Sequence, residues 1–136
     1  KERFMVAFLD NGNNVIETKT MSEGSVGQAV VYPREVLKYA IACDCRAIIL
    51  AHNHPGGSTN FSPEDRALTQ RFVDIFHPLE IKVLDHIVVA GTRYSSMAEQ
   101  GEIPHQCVSK ANYEVIALSE AAVEVNQDSY QFTHSF

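Results

Sequence analysis

The segment AHNHPGGSTNFSPED, from Ala51 to Asp65, gathers residue types that do chemistry. His52 and His54 stand one residue apart. Side chains at i and i+2 of an extended backbone point to the same side, so both imidazoles can reach one ion. The Pro55-Gly56-Gly57 turn lets the chain double back, and a helix opening at Ser62 brings the Asp65 carboxylate toward them. Zinc takes nitrogen, sulfur and oxygen ligands in a tetrahedron. Two histidines, one carboxylate and an open fourth position describe a catalytic rather than a structural site. Solvent in that open position can fall to a pKa of about 7. Each residue also has a plainer reading. H-x-H alone is a weak ligand signal. Asp65 alone is a first-turn carboxylate favoured by the helix macrodipole, and Ser62 alone is an N-cap. The spacing of all four is more specific than any one of them.

The elements that must position these residues follow from hydrophobic pattern and turn chemistry. Arg3 to Leu9 is an apolar run that reads as a buried strand. Asn11-Gly12-Asn13 is a hairpin signal, and Asn14 to Thr20 alternates as a returning strand. Met21 to Gly27, with two glycines, reads as a loop, followed by a short extended piece over Ala29 to Val31. Pro33 opens a helix, since its missing N–H costs nothing in the first turn. Val36, Leu37, Ala40 and Ile41 fall on one face of it. Ala47 to Ala51 predicts a central strand that delivers His52 at its carboxyl end. Ser62 caps the next helix, Pro63 takes its first position, and Leu68, Phe72, Ile75 and Phe76 give it a buried face. His77-Pro78 closes that helix. Glu80 to Leu84 and Ile87 to Ala90 predict two strands around Asp85 and His86. That polar pair reads as hydrogen-bonded structure, or as groups that orient a ligand. Gly91 to Gly101 is a turn plus a short polar piece. Tyr113 to Val125 is expected to be a helix, and Asn126 to Phe136 a mobile tail. The sum is a mixed α/β domain over residues 1–106 with a C-terminal extension over 107–136.

Composition bounds what such a domain does. The 136 residues are 45% hydrophobic and 21% charged, as in an ordinary globular domain. A chain of this size buries roughly 70% of its unfolded surface and needs no staples. The net charge of −6 argues against a phosphate-binding surface, so no nucleic-acid partner is expected through this domain. Cys43, Cys45 and Cys107 are an odd count and make no disulfide framework. Cys43-Asp44-Cys45 lacks the spacing and second pair of a zinc ribbon, and reads as small buried thiols at a helix end. That pattern suits a reducing cytoplasm. No apolar run approaches the roughly 18 residues of a membrane span. The chain begins at Lys1 rather than Met and is expected to be a piece of a longer protein. Exposed strand edges would permit a homo-oligomer.

H-N-H-P over His52 to Pro55, six residues, then S-P-E-D over Ser62 to Asp65 resembles the JAMM metalloprotease motif of the MPN domain, which reads H-x-H-P, six residues, S-x-x-D. More closely, the chain resembles the bacterial RadC family, also called DNA repair protein RadC. PREVLKYAI before the site, AIILAHNHPGG at it, SPEDRALTQRF after it and LDHIVVAG beyond it carry the resemblance, over roughly Glu2 to Gly101. Tyr32 stands where the family usually has histidine, and Gly56 where it usually has serine. Neither position is a metal ligand of the motif. Members commonly carry a helix-hairpin-helix segment upstream, which these 136 residues do not include.

The resemblance implies a single MPN (JAMM) domain with a cytidine deaminase-like mixed sheet flanked by helices. It implies a Zn2+ cofactor, hydrolysis of amide or isopeptide bonds, and a peptide or protein substrate. In that family an upstream glutamate at the start of a strand accepts a proton from activated water and passes it to the leaving amine. Glu2, before Arg3 to Leu9, fits that position, and Glu35 is the runner-up. Ser62 is implied to donate to the oxyanion of the tetrahedral intermediate. Capping uses its oxygen as an acceptor, so one hydroxyl serves both roles. Two other classes compete. A zinc deaminase needs H-x-E and a downstream P-C-x-x-C, but His54 stands at the glutamate position and the cysteine pair is absent. A non-catalytic DNA-repair accessory or interaction module would retain the metal for stability.

Overall fold

The computed structural model describes residues 1–118, a mixed α/β domain. Strands β1 (Glu2–Leu9) and β2 (Val15–Gly24) form the expected antiparallel hairpin. Asn13 takes a left-handed φ of 63° in its turn, and Asp10 Oδ1 accepts the Gly12 and Asn14 amides at 2.9 Å each. β2 continues past Thr20 to Gly24, where a loop is expected from the glycines. Its partner decides this: β1 begins at Glu2, and the ladder runs through Glu2–Gly24 with a bulge beside Met21, so those backbone groups are paired rather than left to water.

β3 (Val30–Val31) leads into α1 (Pro33–Ala42), which buries Pro33, Val36 and Ala40. Ile41, expected on the same face, is 60% exposed. It lies about 100° around the helix from Ala40, and α1 touches the core along a narrower stripe than its pattern suggests. β4 (Ala47–Asn53) is the central strand, antiparallel to β1 and parallel to β5 (Lys82–Ala90). A parallel pair needs a crossover, and α2 (Pro63–Phe76) with a 3-10 turn at His77–Leu79 supplies it. β6 (Arg93–Ser96) completes a sheet of order β2-β1-β4-β5-β6. β5 is one strand where two are expected, because a bulge between Val83 and Asp85 absorbs the polar pair without ending the ladder.

The helix expected over Tyr113 to Val125 is not formed in its described part. Ile116–Ala117 is instead a short strand, β7, paired with β3, and Leu118 N–H donates to the Ala29 carbonyl at 3.1 Å. The unpaired backbone of Val30 and Val31 offers this segment ladder partners that a helix would refuse. The rest of that helix and the expected tail over Asn126 to Phe136 lie outside the described residues.

One sheet face, carrying Phe4, Val6, Phe8, Ile48 and Leu50, joins Val36 and Ala40 of α1 and Leu68, Phe72, Ile75 and Phe76 of α2 in a single core. Phe72 stacks on both Phe4 and Phe76, with ring centroids 5.9 and 5.8 Å apart. The outer side of α2 holds the segment after Gln106. Buried Asp74 accepts the Val108 amide at 2.9 Å and the Ser109 hydroxyl at 2.8 Å. Burial by itself would raise the pKa of Asp74, but these hydrogen bonds and one from Gln70 outweigh it and hold the carboxyl below its usual range. Arg71 donates to the Asn112 and Glu114 carbonyls. Asp74→Ala strands those donors and is expected to lower stability by about 1–3 kcal/mol. A shift in the urea midpoint, with an unchanged slope, measures it.

Candidate metal centre

His52 lies in the last pleat of β4, one residue before its end at Asn53. His52 is 4% exposed and faces the core side, because its ladder partner is Phe4. His54 lies just beyond the strand, its amide donating to the Val89 carbonyl at 2.9 Å. The following turn is closed by Gly57 N–H to the His54 carbonyl, with Gly57 at a φ of 91° that favours glycine. The turn brings the Ser58 carbonyl to 2.8 Å from His54 Nδ1.

Ser62 and Asp65 form a reciprocal capping box at the start of α2. Ser62 Oγ accepts the Asp65 amide at 3.0 Å, and Asp65 Oδ2 accepts the Ser62 amide at 2.8 Å. The cap also aims the carboxylate. Asp65 Oδ1 lies 3.0 Å from His52 Nε2, and Oδ2 lies 3.0 Å from His54 Nε2. The structure therefore brings His52, His54, Ser62 and Asp65 together as the sequence predicts.

These residues fit a metal ion. A carbonyl only accepts, so His54 Nδ1 carries the proton facing Ser58 and Nε2 presents a lone pair to Asp65. His52 Nε2 is buried and, among the described residues, is the one buried side-chain nitrogen or oxygen with no hydrogen-bond partner. Two ligands at zinc distances in a tetrahedron stand roughly 3.3 Å apart, close to the 3.0 Å between each histidine nitrogen and the carboxylate oxygen it faces. Burial would raise the Asp65 pKa, but positive charge on the His52 side, the Ser62 amide and charge on the His54 side outweigh that and hold the carboxyl at about 2; with both rings neutral, a cation between them and the carboxylate would supply that charge. It is ionised at neutral pH, which suits a cation.

A third histidine completes the cluster. His86 is fully buried, its Nε2 2.9 Å from His52 Nδ1 and its Nδ1 2.6 Å from Thr69 Oγ1. Proximity alone groups His86, rather than His54, with His52 and Asp65, their ligand atoms lying within 4.8 Å of one another. Both of its nitrogens are engaged, however, and it has no lone pair left for an ion; His54 has one. Phe61 packs edge-on against the His86 ring, with centroids 5.7 Å apart. Asp85 is not bonded to the His86 side chain. It accepts the His86 amide, the Ser96 hydroxyl and the Ala98 amide, and so ties β5 to β6. Thr69 carried no signal beyond lying one turn after Asp65. His86 carried one, a lone histidine in the apolar run LDHIVV.

Glu2 is 5% exposed, and its Oε1 accepts the Gly27 amide at 2.6 Å. It shares a strand face with Phe4, the ladder partner of His52. Glu35 is exposed on the first turn of α1 and pairs with Lys38 at 3.7 Å. Cys43 caps the end of α1, and burial, the largest cause, pushes the Cys45 thiol up to about 12.

The buried cluster makes stability depend on pH in a defined direction. Burial, with neighbouring His52 adding to it, pushes His86 down from 6.5 to about 3. The unfolded chain therefore takes up a proton below pH 6.5 that the folded chain refuses. Stability is full above that pH and is lost as pH falls toward 3, at up to about 1.4 kcal/mol per pH unit. Asp65 adds a second loss between 3.8 and about 2. Denaturation midpoints of metal-free protein from pH 7.5 to 4.5 check this; a flat profile contradicts it.

Comparison with known proteins agrees with this geometry. The family model described as RadC-like JAB domain matches residues 1–102. A UPF0758 protein of Histophilus somni is 46% identical over 103 residues, covering 76% of this chain and 46% of that protein. The UPF0758 protein YkfG of Escherichia coli is 44% identical over 101 residues, covering 74% of this chain and 64% of that protein. A UPF0758 protein of Vibrio atlanticus is 46% identical over 103 residues, covering 76% of this chain and 46% of that protein. The chain thus spans about half the length of the curated relatives it matches. With a mixed sheet that carries the histidine pair at the end of its central strand, and a capped helix that returns the aspartate to it, the chain belongs to the RadC-like JAB domain family.

Proposed function

We propose that this domain is a zinc-dependent metallohydrolase of the JAMM type that cleaves amide or isopeptide bonds in a peptide or protein substrate. The observation that carries the reading is the partnerless, buried His52 Nε2 facing an ionised, buried Asp65 carboxylate, with His54 Nε2 on its other oxygen. A zinc ion held by His52, His54 and Asp65 supplies Lewis-acid polarisation of a carbonyl and acidified solvent.

The chain's own residues do the rest. Glu2 is the general base, accepting a proton and delivering it to the leaving amine. Asn53 supports this assignment by pinning the backbone on both sides of Glu2. Its Oδ1 accepts the Arg3 amide at 2.6 Å, and its Nδ2 donates to the Lys1 carbonyl at 2.7 Å. The base is thereby held beside the histidine strand. Glu35, in solvent with Lys38, has no such tie. Ser62 spends its oxygen lone pair on the Asp65 amide and keeps its proton to donate to an oxyanion. The three free thiols suit a reducing cytoplasm, and no described helix is long and apolar enough to cross a membrane.

Metal analysis combined with cleavage of linear and isopeptide-linked peptide libraries tests the proposal. The expected result is one zinc per chain and turnover that a chelator removes and zinc restores. Bound zinc with no turnover on any amide would leave a metal-stabilised accessory module instead.

A further inference from the structure

Three hydrogen bonds run behind His52 from the Asp65 main chain, and the far nitrogen of His52 returns to face the Asp65 carboxylate. Thr69 Oγ1 lies 2.9 Å from the Asp65 main-chain carbonyl and 2.6 Å from His86 Nδ1. His86 Nε2 lies 2.9 Å from His52 Nδ1. His52 Nε2 faces the Asp65 carboxylate at 3.0 Å. Thr69 and His86 are fully buried and His52 nearly so, which leaves each group only these partners.

This run of hydrogen bonds has a direction. The Asp65 carbonyl can only accept, so it takes the single hydroxyl proton of Thr69. The Thr69 oxygen then meets His86 as an acceptor, which puts the His86 proton on Nδ1 and a lone pair on Nε2. That lone pair takes the proton of His52 Nδ1, and the His52 lone pair falls on Nε2, toward the carboxylate. The opposite direction would put a proton on His52 Nε2. Despite the 3.0 Å separation from Asp65 Oδ1, that nitrogen makes no hydrogen bond, so a proton there would be poorly aimed.

We propose that Thr69 and His86 form a directional relay that holds His52 in the tautomer able to ligate a divalent cation, so that two residues outside the H-x-H and S-x-x-D positions set the metal affinity of the site. They are positioning residues: neither touches the ion. If His52 carried its proton on Nε2, it would have no lone pair for the ion. Outer partners that fix a ligand's tautomer are typically worth about 10–100-fold in metal affinity. The inference rests on the metal-centre reading above.

The test uses Thr69→Val, which keeps the shape and removes the hydroxyl, beside Thr69→Ser, which keeps the hydroxyl. Without an acceptor at Nδ1, His86 turns its proton to Nε2, and His52 must then carry its own proton on Nε2. Zinc titration is expected to show a loss of about 10–100-fold for Thr69→Val and wild-type affinity, within about threefold, for Thr69→Ser. Long-range proton–nitrogen correlation of the His52 ring in metal-free protein gives a readout that a merely structural role would not move. It is expected to show Nδ1–H in wild type and in Thr69→Ser, and Nε2–H in Thr69→Val. An Nε2–H ring in metal-free wild type overturns the relay even if Thr69→Val fails to fold. A folded Thr69→Val with wild-type zinc affinity also overturns it. Failure of the wild type to bind zinc at all overturns the metal centre itself, and the relay with it.

Discussion

His54→Ala is expected to abolish zinc binding and hydrolysis while leaving the domain folded. The His54 side chain is 20% exposed, against 1% for His52, and it is absent from the hydrophobic core. Its loss therefore leaves no large cavity. It removes one of the three proposed ligands and leaves Asp65 Oδ2 with only the Ser62 amide. The loss of affinity should exceed the roughly 10–100-fold cost of an outer partner, and turnover should fall with it. Thermal unfolding separates this from misfolding. Zinc at a hundred times its Kd stabilises a binding protein by about 2.7 kcal/mol. Wild type should show that upward shift in Tm and His54→Ala should not, while their metal-free Tm values stay close. Undiminished zinc-dependent stabilisation in His54→Ala would remove His54 from the ligand set.

Glu2→Gln is expected to separate chemistry from metal binding. The amide oxygen of glutamine can still accept the Gly27 N–H, so the 2.6 Å contact and the start of β1 are retained. The carboxylate proposed to accept and return a proton is lost. General acid–base catalysis contributes typically about 10²–10⁴-fold, and kcat should fall by that factor with zinc affinity unchanged. Glu35→Gln, in solvent beside Lys38, should leave both unchanged. The two variants measured side by side decide between the two carboxylates; an inactive Glu35→Gln with an active Glu2→Gln would reverse the assignment.

The readable parts of the site are those whose geometry is local. His52 and His54 share a side because two residues separate equivalent positions on a strand, whatever the strand packs against. Ser62 and Asp65 are joined by a capping box, which four consecutive residues complete among themselves. The buried stripe of α2 was equally plain, and Leu68, Phe72, Ile75 and Phe76 all enter the core. Where a local pattern competes with a distant partner, the partner wins. The glycines of Met21 to Gly27 read as a loop, yet β1 draws Met21 to Gly24 into the sheet. Ile116 and Ala117 read as helix, yet Val30 and Val31 take them as a strand.

His86 shows the limit most sharply. Counting by twos from inward Val83 places Asp85 on the core face and His86 on the other. The parallel pairing with β4 inserts a bulge after Val83, so that Ile49 meets Asp85 and Leu50 meets His86. That shift turns the histidine inward, onto His52 and Thr69, and leaves Asp85 to fasten β6. The family, the two imidazoles at a strand end and the carboxylate at a helix start can be read from residues in order, because each depends on neighbours a few residues away. Which histidine stands behind His52, and that Asn53 pins the backbone around Glu2 to β4, emerge with the fold, because they depend on registers between strands that are far apart in the chain.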